Sequence, residues 1–419
     1  MDLDALVLHI QQNPTVVVFL VLALWLFGRW NRPSPSHPTA EKTPSDTTPA
    51  ANTITITPLP SFDWETTEPT QFRPFKPKYH LSMGLTTTTF SDLIPIDKTY
   101  QDRLALRASL LSQHPSVVVG VTPAAETPGN IVHAAVAELY EFVVGEYLPT
   151  RYPSIFVLED HPHHQNPEAK EQEGKRTLYN KITTQRIPTT LPGNSSRSAL
   201  ETLGTFVDED FLVLMPESLA HPNPTSPSPS PSTSKEQEPE GGEGEKYILS
   251  AYSTFFPAGF DTREKLGQRL STIHAPVPRY KEKLEKSMDR FFARLEVGRV
   301  VQRVNWSVTT QAGLFAAFGG VHGDEGKEEE VVEMGKEELV VEQTFLRCER
   351  QLLHRLPRTK ALVFNFHTYT YPIQKIKEEG LGEELATAID GLKEGNVPEI
   401  HRYKRGPVWG EAVKAFLRS

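Results

Sequence analysis

His274, in the stretch Leu270-Ser-Thr-Ile-His-Ala-Pro-Val-Pro278, is the side chain best situated to hold a metal or a metal-bearing cofactor. Neutral imidazole ligates iron, zinc and copper, and its charge changes near neutral pH. Pro276 and Pro278 fix φ on either side of Val277, so the histidine is expected in a stiff, extended approach to a helix. A histidine beside two prolines can also be a packed, hydrogen-bonded structural residue, and composition by itself favours that reading.

The other candidates are weaker. Of the 14 histidines, His161, His163 and His164 in Glu159-Asp-His-Pro-His-His have the look of a metal cluster, but the following Gln165-Asn-Pro-Glu-Ala-Lys is loop-like. His133 is expected on the polar side of its helix, and His401 follows a terminal loop. The single cysteine, Cys348, excludes an intramolecular disulfide framework, a four-thiolate zinc site and an iron–sulfur cluster held by this chain alone. It suits a reducing compartment. No nucleophile elbow, phosphate loop, Rossmann glycine fingerprint or His-Glu-X-X-His motif occurs. A net charge of −9 gives nucleic-acid binding no support.

The elements that would position His274 can be read from periodicity. Tyr280, Leu284, Met288, Phe291, Phe292 and Leu295 recur on one face of a helix, with Lys281, Glu282, Lys286 and Asp289 on the other. Beyond Gly298 the pattern alternates: Val300, Gln302, Val304 and Trp306 point one way, and Val301, Arg303, Asn305 and Ser307 the other. That is a strand with a polar face. Further strands are expected over 345–356, where a helix fits nearly as well, and over 361–371. Upstream, helices are expected from Lys98 to Gln113, capped by Asp97, and from Asn130 to Tyr147.

The 419 residues, 38% of them apolar, are enough for one large domain or two modest ones. Thr15 to Gly28 is uncharged and strongly apolar, a little short of the roughly 20 residues a membrane span prefers. Asp2 and Asp4 before it and Gly28-Arg-Trp-Asn-Arg32 after it suit an uncleaved anchor over residues 1–30, with the C-terminal side in the cytoplasm. Residues 31–60, rich in Pro, Ser and Thr, read as a disordered tether, leaving 61–419 as the working domain. Two low-complexity insertions, 222–246 and 319–340, are expected as solvated loops inside that domain.

Several motifs spaced along the domain carry a family resemblance. They are Arg73-Pro-Phe-Lys-Pro, Glu138-Leu, Leu148-Pro-Thr-Arg-Tyr-Pro153, Asp208-Glu-Asp-Phe-Leu-Val-Leu-Met215, Phe256-Pro-Ala-Gly-Phe-Asp-Thr-Arg-Glu-Lys-Leu-Gly267, Ile273-His-Ala-Pro-Val-Pro-Arg-Tyr280, Arg303-Val-Asn-Trp306, Arg347-Cys-Glu-Arg-Gln351, Arg355-Leu-Pro357 and Thr368-Tyr369. Over residues 70–375 the chain resembles the family typified by the α subunit of the haem-dependent oxidative N-demethylase. The resemblance implies an α+β fold: a PAS-like haem-binding core, antiparallel sheet and flanking helices, here preceded by one transmembrane helix. It also implies haem b, with His274 as the iron ligand and Arg347 and Tyr369 beside the cofactor.

On the oxygen side, Arg303, Asn305, Glu349 and Arg350 are the candidates to polarise dioxygen or to receive the positive charge of a small amine. The family's electron supply implies a separate flavin and iron–sulfur reductase fed by NADPH, since this chain lacks the cysteines and dinucleotide loops. Cys348 as a thiolate iron ligand is a minor alternative. His367 stands where the family pattern leads one to expect arginine, so the pocket is expected to differ and dimethylamine is not carried over. The rival function is a membrane-tethered PAS-like haem or ligand sensor, or a haem-binding protein without turnover.

Overall fold

The computed structural model describes residues 54–160, 176–220, 245–310, 313–322, 333–335 and 338–419. The anchor expected over residues 1–30 and most of the tether lie outside the described residues, as do His161, His163, His164 and most of both insertions. Among the described residues no helix is long and apolar enough to cross a membrane.

Ten strands form among the described residues: β1 (Thr86–Thr88), β2 (Val119–Val121), β3 (Phe156–Asp160), β4 (Arg176–Asn180), β5 (Arg186–Pro188), β6 (Asp210–Pro216), β7 (Tyr247–Ser253), β8 (Val300–Thr309), β9 (Phe345–Arg355) and β10 (Leu362–Pro372). Seven of them make one antiparallel sheet in the order β1-β8-β9-β10-β6-β7-β2, and β3, β4 and β5 make a small second sheet. The ambiguous segment over 345–356 is thus a strand. Its pairing explains why: β9 is sandwiched between β8 and β10, with Trp306 and Tyr369 both opposite Cys348. In that central position its backbone groups are satisfied on both sides, and the period-two register is enforced.

Helices flank the sheet. α1 (Tyr100–Gln113), α2 (Ile131–Glu141) and α3 (Ser196–Phe206) pack with one apolar cluster, while α4 (Leu270–Ile273), α5 (Lys286–Arg294), α6 (Gly382–Asp390), α7 (Ile400–Tyr403) and α8 (Gly406–Arg418) belong with a second. The first helix begins two residues later than expected, because Asp97 Oδ1 accepts from Thr99 N at 2.8 Å in the preceding turn and does not cap it. Asn130 does cap α2, accepting from Val132 N at 2.9 Å, and the expected run to Tyr147 continues as a π-helical turn, Phe142–Tyr147. His133 is not on a polar face: it is buried, with Nε2 3.2 Å from the Asn194 carbonyl oxygen.

The fold takes in more of the chain than composition suggested. Residues 54–60, expected in the tether, pack on the domain through Ile54, Ile56 and Leu59, with Leu59 N donating to Arg151 O at 2.7 Å. A few apolar side chains in a Pro- and Thr-rich stretch suffice when a surface groove receives them. The N-terminal arm continues to the C-terminal helices, where it lies so close that a Cβ on Gly395 would sit 1.5 Å from the Tyr79 carbonyl oxygen. Leu81 N donates to Asn396 Oδ1 at 2.7 Å and Asn396 Nδ2 returns a bond to Leu81 O at 3.1 Å, so the arm is held as a strand would be.

Several motif residues serve this architecture. Glu138 accepts from Arg358 N, Thr359 N and Thr359 Oγ1 at 2.6–2.8 Å, which clamps the β9–β10 turn onto α2. Arg355 donates from Nε to Leu295 O and from Nη1 to Lys360 O, both at 2.6 Å, and ties the end of α5 to the sheet. Asp210 accepts from Phe255 N and Phe256 N and pairs with Arg107 at 2.8 Å.

Candidate functional site

A cavity of about 260 Å³ lies against one face of the large sheet, under α4 and α5. Helical spacing builds one wall: Tyr280, Leu284, Met288 and Phe292, four residues apart, all line it. The segment is a π-helical turn, Lys281–Glu285, running into α5, not one uniform helix. Asp289, expected among the exposed charges, is buried and paired with Lys246 at 2.6 Å.

Strand alternation builds the facing wall. Arg303 and Asn305 on β8 and Glu349, Gln351 and Leu353 on β9 point into the cavity, and in register Asn305 is opposite Glu349 and Arg303 opposite Gln351. The same alternation sends Val304 and Arg350 away. Arg350 reaches the Asp92 carbonyl and, at 3.3 Å, Gln302 Oε1. Tyr369 packs against Phe72 and His367.

His274, Arg303, Asn305 and Glu349 are therefore brought together, while Arg350 and Tyr369 do not line the cavity. Arg347 is adjacent to it. Its Nε stands 4.0 Å from Glu349 Oε1, but its two terminal nitrogens donate to the carbonyls of Leu314, Phe256 and Pro257 at 2.6–3.1 Å. Those bonds make it a staple between the sheet and two loops.

His274 does not sit in an extended approach. It caps the C-terminus of the short helix α4 with φ −97° and ψ 5°, and its ring turns back so that Nδ1 lies 2.8 Å from the Leu270 carbonyl oxygen. Only the N–H form of Nδ1 can bond to a carbonyl, so Nε2 carries the lone pair. Burial pushes the His274 pKa down to about 4, against the Leu270 carbonyl and with help from Lys265 and Arg303. At neutral pH the ring is uncharged. It stacks on Tyr280 with centroids 4.8 Å apart.

Glu349 is 7% exposed, and burial raises its pKa, opposed chiefly by Arg347. Gln351 Nε2 donates to its Oε2 at 3.1 Å, while Oε1 has no hydrogen-bond partner among the described residues. Asn305 Oδ1 accepts from Lys404 Nζ at 3.0 Å. The Lys404 amine also donates to the Trp306 carbonyl, and burial brings its pKa down to about 7, assisted by Arg303.

Three features escaped sequence reasoning. Lys404 lies in a terminal segment with no motif, and it reaches the cavity only because α7 folds back over β8. Lys265 stood inside the quoted stretch Phe256–Gly267 but went unremarked, and it lines the cavity with Nζ donating to Ile273 O at 3.2 Å. His322 falls within the insertion expected as a solvated loop, yet it too lines the cavity. Gly319-Gly-Val-His is an apolar and glycine opening ahead of the Glu-rich run, and that contrast was the available signal.

Cys348 is fully buried, and desolvation pushes its thiol up to about 12, so it is a protonated core residue and not a thiolate. His367 is buried on the other face of the sheet, 3.3 Å from Glu209 and 3.5 Å from Asp208. Its departure from the family pattern consequently changes a core ion network, not the cavity lining. Among the described residues no group of three or more His, Cys, Asp or Glu is arranged to hold a metal ion.

A family model described as haem-dependent oxidative N-demethylase, alpha subunit-like, matches residues 84–414. The match takes in every cavity residue except Tyr79, Leu81 and Met83, and it extends past the motifs of the sequence to include Lys404.

Proposed function

Because the chain belongs to the haem-dependent oxidative N-demethylase α-subunit-like family, we propose that the cavity binds haem b and that the protein oxidises a small N-methylated amine. The observation that carries this reading is His274, a neutral imidazole whose Nδ1 is engaged by Leu270 and whose Nε2 lone pair is left for iron.

Two further properties of the cavity fit haem. Leucine, methionine and phenylalanine side chains from α5, the N-terminal arm and β10 supply the apolar surface a porphyrin needs. Lys265, Arg303 and Lys404 line it against one carboxylate, Glu349, so the charged groups call for an anionic partner, and haem carries two propionates. A short helix ending at His274 and an antiparallel sheet across the cavity support reading the core as PAS-like.

Bound haem supplies an iron that activates dioxygen for cleavage of the N-methyl group. Balance requires one oxygen atom to leave in formaldehyde and the other in water, with two electrons and two protons delivered from outside. Those electrons come from a separate flavin and iron–sulfur reductase using NADPH. Glu349 receives the substrate: Gln351 orients the carboxylate through Oε2, and Oε1 takes the proton of the incoming ammonium. Asn305 and Arg303 supply hydrogen-bond donors and positive charge on the same wall, and the apolar side chains keep bulk water out.

The test is reconstitution of the full chain with ferric haem, followed by oxygen and amine consumption with a chemical reductant. The expected result is a Soret band and formaldehyde release from a methylated amine. A chain that takes up no haem overturns the reading.

A further inference from the structure

His322 shares three local features with His274 inside the same cavity. Each ring lies flat on a tyrosine, Tyr280 for His274 at 4.8 Å and 12°, Tyr403 for His322 at 4.6 Å and 11°. Each has a backbone carbonyl favouring its N–H, that of Leu270 for the first and Ala258 for the second. Burial holds both neutral, with the His322 pKa pushed down to about 3. They differ at the other ring nitrogen: His322 Nε2 is buried and has no hydrogen-bond partner among the described residues.

An unsatisfied lone pair in a buried place is unfavourable unless something completes it. His354 shows what such a nitrogen means elsewhere. Both its ring nitrogens are unpartnered, but the ring is wedged against Phe90 and Phe142, away from any cavity, and has nothing to ligate. His322 instead lines the cavity, as does a second imidazole, His274.

The segment that carries His322 is docked, not loose. Ala258 and Ala316 form a parallel bridge, Gly259 N donates to Ala316 O at 2.8 Å, and Gly259 has φ +80° with room for no side chain, since a Cβ would meet His322 N at 2.9 Å.

We propose that His322 supplies a second axial imidazole to the haem iron, so that the resting ferric protein is six-coordinate and low-spin with His274 and His322 as the ligand pair. The inference rests on the haem reading and deepens it: the entry of dioxygen requires His322 to leave the iron.

The experiment is absorption and electron paramagnetic resonance spectroscopy of the full chain reconstituted with ferric haem at neutral pH. The wild type is expected to be low-spin. The variant His322→Gly keeps its Soret band but turns high-spin, and added imidazole restores the low-spin spectrum. Should that variant fail to fold by circular dichroism, His322→Met must likewise lose the bis-imidazole spectrum.

A wild type that binds haem but is high-spin overturns the inference, and so does a low-spin spectrum that survives His322→Gly without added imidazole or a bis-imidazole spectrum that survives His322→Met. Both results leave the haem reading intact. A wild type with no Soret band overturns both.

Discussion

Glu349 and Arg350 are neighbours in the chain and lie on opposite faces of the sheet. Glu349 points into the cavity with Oε1 accepting no hydrogen bond among the described residues, while Arg350 donates to the Asp92 carbonyl and to Gln302. Their substitution should therefore separate chemistry from stability. Glu349→Gln is expected to lower kcat/KM for amine oxidation by roughly 100-fold, the usual scale for loss of a proton-transfer group, with haem uptake retained. Arg350→Met should instead cost on the order of 1.5–3 kcal/mol in urea unfolding, for its lost charged hydrogen bonds, and leave the KM of folded protein near that of the wild type. Equal effects of the two substitutions on turnover would contradict the assignment.

His274→Ala should reduce haem affinity by more than the roughly 10–100-fold typical of losing a partner that merely orients a ligand. Far-UV circular dichroism should be unchanged, because the Leu270 carbonyl sits at the end of a helical turn and can turn to water. Retention of wild-type affinity in a Soret titration would remove His274 from the iron.

Lys404 gives haem binding a pH dependence with a definite sign. Burial brings its pKa down to about 7, and a bound anion must raise it, so binding takes up a proton above pH 7. Affinity should accordingly fall as pH rises from 7, by at most about tenfold per pH unit for one linked proton. Lys404→Met should flatten that limb in the same titration. Haem dimethyl ester, which lacks the anionic propionates, should bind to the wild type with little pH dependence.

Four histidines are held neutral by burial: His274 and His401 at about 4, His322 and His354 at about 3, all below the ordinary 6.5. The unfolded chain binds their protons first, so stability is full above pH 6.5 and declines as pH falls toward 3. Melting temperature measured across that window should drop. His354→Leu, which removes two buried unpartnered nitrogens from between Phe90 and Phe142, should raise stability at neutral pH by about 1–3 kcal/mol and lessen the acid decline. A destabilised His354→Leu protein would show that the nitrogens have partners after all.

Much of the frame was legible. Alternation in Val300–Trp306 and the four-residue spacing of Tyr280, Leu284, Met288 and Phe292 are local periodicities, and each gave both an element and the face it presents. The family resemblance then placed Arg303, Asn305 and His274 in one expected pocket, and all three line the cavity. Glu138, Asp210 and Arg355, quoted for their family resemblance, turned out to hold turns and helix ends, since a motif marks a constrained residue without saying whether the constraint is chemical or architectural.

By itself the sequence determined the family, the antiparallel strands and the histidine that opens the site, because these depend on side-chain order along the chain. Tertiary structure decided which charges meet. Glu349 and Arg350 parted because their strand is central and its register enforced. Lys404 lies 130 residues after His274 in the chain, beyond β10, and His322 lies 48 residues after it, between β8 and β9. No periodicity links them to His274, and only the packing of α7 and of the Gly319–His322 loop against the sheet brings them into one cavity.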